Sequence, residues 1–501
     1  MKPFIALAAL LAVTVAVWQL ESTRSGLEIS TLQVAAIPVT VFRPRAAEPS
    51  PVVIVGHGFA GSQQLMQPFA IALAQAGYVA VTYDQPGHGR NPVALPGDFL
   101  ESDTRDRQLL AALDDVLVAA RPLGDGRVAL LGHSMAAQVV LAYASRHPEI
   151  AATVAVSPFA ADAVTAALPR NLLVVDGALE PEIVRAAAAR AVRIAAGESA
   201  APGITYGDFS RGTARRYAYA GGVEHIGVLY SRDSRAEAVD WFNKAFSRAG
   251  AAPRLPDFGL WLGVLYTALV ALAWPLAALL PRLSRAPDGI RAVPASRWRQ
   301  LAALLLPALV TPLALWKVNV SLLPVMLADY LLLHFALYGL LTLAAVRWLN
   351  IQCRPAGTAA LLAVMAAVTL YAVFAIGLAT DRYAAAFLPG PGRGLYVALL
   401  LVGTLLWFPA DELLTRSPGM PRWAYLLTKA CFAGSLLLAV ALNPPRLFFL
   451  VIIVPALALS FLAYGLMSRW LFQRTGEPVV AGVANAAVFA WAIGASFPLA
   501  G

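Results

Sequence analysis

Charge is what this chain most conspicuously lacks. Asp, Glu, Lys and Arg make up 13% of its 501 residues, against roughly 25% in an ordinary soluble chain. Such a deficit excludes a disordered or fully hydrated protein and points to a bilayer. Cysteine is scarcer still. Cys353 and Cys431 are the two cysteines, both in the apolar C-terminal half and without metal-ligand spacing. This excludes a disulfide framework and a cysteine-based metal site. The net charge is +9, yet many arginines sit between apolar runs and form no basic stripe interleaved with aromatics. Nucleic acid is therefore excluded as a partner. Repeats, metal motifs and paired broken helices are also missing, so no metal or cofactor is expected and a transporter is not indicated.

Long apolar runs are present instead. One covers residues 3–20, after Lys2. No small-x-small cleavage site is clear near Glu21, so residues 1–25 read as a signal anchor rather than a cleaved signal peptide. Eight more runs lie near 259–280, 301–316, 322–346, 358–380, 394–410, 424–442, 447–468 and 478–497. A spanning helix needs about 20 such residues, so residues 253–501 read as an all-α membrane domain of about eight transmembrane helices. With the N-terminus inside, twelve Lys and Arg residues flank the inside ends, five of them between Arg282 and Arg299; Lys317, Arg382, Arg393 and Arg446 fall outside. The positive-inside rule then predicts that residues 26–252 are extracytoplasmic, on an integral protein of the plasma or inner membrane.

Residues 26–252 alternate short β-type runs with helical stretches. Strands are predicted at 52–55, 79–83, 128–131, 153–156, 172–175 and 215–220. Helices are predicted near 64–76, 102–120, 135–147, 182–196 and 234–248. This alternation implies a doubly wound parallel sheet. Between Ser157 and Asn171 there is room only for a short helix, Ala160 to Leu168. So small a cap implies an open site, or one covered by the membrane domain.

Strand, sharp turn and helix meet at Gly132-His133-Ser134-Met135-Ala136. A serine in such a turn is held strained and exposed at the strand end, with small residues two before and two after it. Ala136 stands where glycine is usual. Upstream, strand 52–55 runs into Gly56-His57-Gly58-Phe59-Ala60-Gly61, a glycine-rich loop whose backbone can approach a reacting group. The N–H groups of Phe59 and Met135 are the candidate oxyanion donors. Among six histidines, His225 follows the last strand, where a general base belongs. The acid candidates are Glu180, on the loop after strand 172–175, and Asp176, at that strand's edge. An acid there would fix the imidazole tautomer.

Residues 30–250 resemble the α/β-hydrolase superfamily. The chain order Ser134, Glu180, His225 is its Ser, acid, His order. Tyr83-Asp84-Gln85-Pro86-Gly87-His88-Gly89-Arg90-Asn91 resembles its Asp-x-x-Gly-His-Gly-x-Ser segment, with Asn91 for Ser, and the resemblance implies a structural role there. It also implies a serine esterase-like enzyme that passes through an acyl-enzyme. The expected substrate is a small-molecule or lipid ester or amide met at the outer membrane face. Two alternatives use the same residues differently: a membrane acyltransferase, or a non-catalytic scaffold or transporter with an inert hydrolase domain. In the membrane half, Asp329 and His334 are charged or polar groups within a predicted span. Lys429 is expected too far from Asp329 to pair and free to snorkel to the interface, with Asp411 and Glu412 at an inner boundary.

Overall fold

The computed structural model describes residues 1–45, 48–96, 102–248, 255–284, 290–293, 295–353 and 357–501. The division expected at 252–253 lies outside the described residues, as do Arg285 and Arg354. After helix α1 (Lys2–Ser22), eight strands form one sheet: β1 Leu27–Val34, β2 Ile37–Pro44, β3 Val52–Gly56, β4 Val79–Tyr83, β5 Val128–His133, β6 Ala152–Val156, β7 Leu172–Gly177 and β8 Arg215–Ala220. Their spatial order is β1-β2-β4-β3-β5-β6-β7-β8. Strand β2 is antiparallel to β1 and β4; every other pair is parallel. Strands β3 to β7 are buried along their whole length. That is why they read as unbroken apolar runs: helices cover both faces of a parallel sheet. The helices that do so are α2 (Gln67–Gln75), α3 (Ser102–Ala120), α4 (Met135–Ala144), α5 (Glu182–Ala196), α6 (Gly227–Tyr230) and α7 (Arg232–Ala245).

Long apolar helices follow: α8 Phe258–Ala277, α9 Arg297–Leu315, α10 Ala328–Trp348 and α11 Thr358–Leu370, which continues through a π-turn at Tyr371–Ala375 into α12 Ile376–Tyr383. Then come α13 Arg393–Arg416, α14 Ala424–Leu442, the single turn α15 Pro444–Leu447, α16 Leu450–Thr475 and α17 Pro478–Ser496. Counting α1, and α11 with α12 as one, nine helices among the described residues are long and apolar enough to cross a membrane.

Alternate connections of this bundle meet the sheet. The Ala386 N–H donates to Ser62 Oγ at 2.8 Å. The Leu499 N–H donates to the Gly87 carbonyl at 2.8 Å, and the Leu95 N–H returns the bond to Leu499 at 2.9 Å. Arg393, buried at the start of α13, donates to the carbonyls of Gly87 (2.7 Å), Phe497 (2.7 Å) and Gly494 (3.0 Å).

The structure departs from the sequence reading in four places. The hairpin β1–β2 was not expected; its turn holds Ala35 at φ 50° rather than an Asn-Gly signal. No helix forms over 160–168, where the Thr165 hydroxyl and backbone bond Leu168 in a tight turn just before Pro169. The span expected from 322 begins at Ala328, because Asp329 accepts the N–H groups of Leu322 and Leu323 and holds 322–327 as a loop. Lys429 does not snorkel: it is buried, paired with Asp411 and flanked by the rings of Tyr425 and Trp407. The buried carboxylate of Asp411, on α13, is the partner that holds it inside the bundle.

Candidate active site

Ser134 stands between β5 and α4 with φ 54° and ψ −113°. A non-glycine residue there costs about 1–3 kcal/mol. The strain is held by its N–H on the Val156 carbonyl, at 2.8 Å. The glycines around the turn permit a close approach. A side chain on Gly132 would lie 2.3 Å from the Ala136 carbonyl oxygen, and one on Gly56 would lie 2.8 Å from the Ala136 methyl. Ala136 is thus accommodated in place of glycine because Gly56, on the neighbouring strand, leaves room for its methyl.

His225 lies on the loop between β8 and α6. Its Nε2 is 2.9 Å from Ser134 Oγ and its Nδ1 is 2.8 Å from Glu180 Oε2. With Nδ1–H donating to the carboxylate, the Nε2 lone pair faces the serine hydroxyl. The other oxygen of Glu180 accepts the Ser157 hydroxyl at 2.5 Å and the Gly177 N–H at 2.9 Å. Every site residue therefore ends a strand or follows one: Ser134 after β5, Ser157 after β6, Glu180 after β7, His225 after β8. Because β5, β6 and β7 are adjacent, Ser157 necessarily sits between nucleophile and acid.

Asp176 is not part of this chain of contacts. Its carboxyl is buried. Burial, then the charge of Glu180, pushes its pKa up to about 8. The Asp176 carboxyl is thus kept protonated at neutral pH. The arrangement favours Glu180 over Asp176 as the group facing the imidazole.

Three residues that sequence reasoning did not assign support the site. Ser157, itself at φ 55°, fixes Glu180. His133 donates from Nε2 to the His225 carbonyl at 2.9 Å and so pins the loop that carries the base. Burial, reinforced by nearby His225, holds its pKa well below the usual histidine range, so it stays a neutral donor. His57 donates from Nδ1 to the Gly58 carbonyl at 2.8 Å and accepts the Gln85 N–H on Nε2 at 3.1 Å. It clamps the glycine loop to the segment at Asp84–Asn91. The one available signal was a polar residue directly at or after each apolar strand.

That glycine loop lies against the nucleophile. A side chain on Gly58 would come within 3.0 Å of Ser134 Cβ. Phe59 and Ser134 line one cavity of about 810 Å³ together with Met135. Met135 opens α4, where first-turn N–H groups lack an intrahelical acceptor. The cavity's far wall belongs to the helical bundle: Met326, Pro444, Pro445, Phe448 and Phe449. Phe159 bridges the two sides, 5.3 Å from the His225 ring and 6.4 Å from the Phe448 ring between centroids. Among the described residues, no group of three or more His, Cys, Asp or Glu is placed to hold a metal ion. The line of Ser134, His225 and Glu180 is the arrangement that suits a serine hydroxyl for attack on an electrophilic carbonyl.

Residues 51–190 match the alpha/beta hydrolase fold family. Esterase YjfP of Escherichia coli strain K12 is 33% identical over 136 residues, which are 25% of this chain and 53% of that protein. The chain thus spans about half the length of that relative. Among solved structures, TT1662 from Thermus thermophilus is similar over 43% of this chain and 97% of its own, at 14% identity and a TM-score of 0.35. A hydrolase from Thermoplasma acidophilum is similar over the same shares, at 15% identity and a TM-score of 0.33. The sheet half of the chain thus has the alpha/beta hydrolase fold, matched by that family's model over residues 51–190.

Proposed function

We propose that the chain is a membrane-anchored serine hydrolase that cleaves an ester or amide through an acyl-enzyme at the outer face of the membrane. The observation that carries this reading is the continuous hydrogen-bonded line from Ser134 through His225 to Glu180. His225 Nε2 takes the hydroxyl proton as Ser134 Oγ attacks the carbonyl carbon. The N–H groups of Phe59 and Met135 hold the oxyanion, and Glu180 stabilises the imidazolium. His225 then gives the proton to the leaving group. Water, deprotonated by the same nitrogen, releases the acid and restores the serine. A relative named as an esterase favours water over a second acyl acceptor.

The membrane reading rests on the nine apolar helices and on the distribution of cations about them. The segment Lys2–Ser22 serves as one anchor and the bundle as the other, which keeps the nucleophile close to lipid. Fluorophosphonate labelling in native membranes tests the chemistry. The wild type is expected to label and Ser134→Ala is not. Absent wild-type labelling, or equal labelling of both, overturns the assignment. Protease protection of the sheet half in sealed cells would overturn the outer placement.

A further inference from the structure

A second cavity, of about 210 Å³, begins where the first ends. Ala60, the residue after Phe59, forms one end of it. From there it runs between α10, α14, α16 and α17, deep against Phe335, Leu436 and Phe489 and shallow against Ala456 and Ser460. Its walls are apolar except for two serines, and Ser460 already spends its hydroxyl on the Ala456 carbonyl. Beyond the Ser496 hydroxyl the walls are apolar. Ala456 is exposed on the outer surface of α16, so the groove opens toward the medium that surrounds the bundle. Pro455 sits in α16 beside this opening; it removes one backbone bond and obstructs regular packing there.

Between this groove and the cavity at Ser134 stand two aromatic rings. Phe59 and Phe449 lie 4.4 Å apart between centroids, and Phe497 meets Phe59 edge-on at 6.4 Å. Phe59 and Phe449 line the first cavity, and Phe497 lines the second. The rings of Phe59, Phe449 and Phe497 thus form the partition between the two cavities.

We infer that the groove holds the hydrocarbon tail of the substrate, so that the carbonyl reaches Ser134 while its chain passes the Phe59–Phe449 pair and lies among α10, α16 and α17. This rests on the hydrolase reading above and names its substrate class: esters or amides with one long unbranched apolar chain, drawn sideways from the lipid. Adjacency to the nucleophile's cavity, across a single layer of side chains, selects this occupant, because a docking helix is too wide to pass a pair of side chains.

Fluorophosphonates with alkyl chains from ethyl to dodecyl test this in native membranes. The wild type is expected to label faster with each added carbon until the groove is full. Ala456→Trp fills the groove from its exposed side, and the ratio of dodecyl to ethyl rates is expected to fall by ten-fold or more. Leu459→Trp, on the exposed side of the same helix and outside the groove, is expected to keep the wild-type ratio. Because all three proteins share one membrane, partitioning of the probes cancels. A wild type that labels with ethyl yet gains nothing with length overturns the groove and leaves the hydrolase reading standing. An Ala456→Trp ratio equal to wild type does the same. A wild type that labels with no probe overturns both.

Discussion

Glu180 and Asp176 lie four residues apart, and the structure gives them opposite tasks. Glu180→Gln keeps the shape but cannot stabilise the imidazolium, so kcat is expected to fall by about 10⁴. Asp176→Asn is expected to leave kcat within a few-fold, since no contact joins Asp176 to His225. Its effect belongs to stability. The folded carboxyl holds its proton up to about pH 8, whereas the unfolded one releases it near pH ~3.9. Between those values unfolding releases a proton, so stability falls as pH rises through the window and is greatest below it. Thermal unfolding in detergent at pH 5 and pH 8 checks this: Asp176→Asn is expected to lose less stability on going to pH 8 than the wild type. A pair that behaves the other way round, with Asp176→Asn inactive and Glu180→Gln active, would reassign the acid.

Strand ends were the most legible elements in the sequence, because a fully buried parallel strand shows as an apolar run with a polar residue at its close. Ser134, Glu180 and His225 were found that way. Ser157 and His133 were equally close to strand ends, but their partners come from other strands, and sheet order is not written in any single run. The β1–β2 hairpin was missed because half-exposed strands with an Ala-Ala turn carry a weak pattern. The fit of Ala136 against Gly56 is of the same kind: a departure in one element is explained by a residue two strands of sequence away. Gly56→Ala is expected to cost about 1–3 kcal/mol by overpacking, and Ala136→Gly is expected to restore most of it in the double variant. Gly132→Ala meets the Ala136 backbone instead, so the same second change is expected to rescue nothing. Unfolding midpoints of the wild type, the three single variants and the two doubles, read as two double-mutant cycles, decide between these outcomes.

At the scale of the whole molecule, the exceptions to the charge rule have individual explanations. Arg382 pairs with Glu21, Arg446 donates to the Val320 carbonyl, and Arg393 is buried between the sheet and α17. Lys317 rests over the Trp316 ring. All four cations have contacts within the protein, which a count of charges along the chain cannot register. Arg393→Met leaves the Gly494 and Phe497 carbonyls without the guanidinium and the Gly87 carbonyl with only the Leu499 N–H, and a loss of about 3 kcal/mol or more at the junction is expected. Calorimetry in detergent is expected to show one transition in the wild type and two in this variant. The junction also bears on synthesis. The wall of the reaction chamber formed by Phe448 and Phe449 leaves the ribosome roughly 300 residues after the nucleophile, which at ~5–20 residues per second is a delay of fifteen seconds to a minute. During that interval the sheet half can fold with its serine, histidine and glutamate already in line but its chamber unroofed. On the hydrolase reading proposed above, selectivity for substrate would then be a late-acquired property, conferred when the final helices dock against the sheet half.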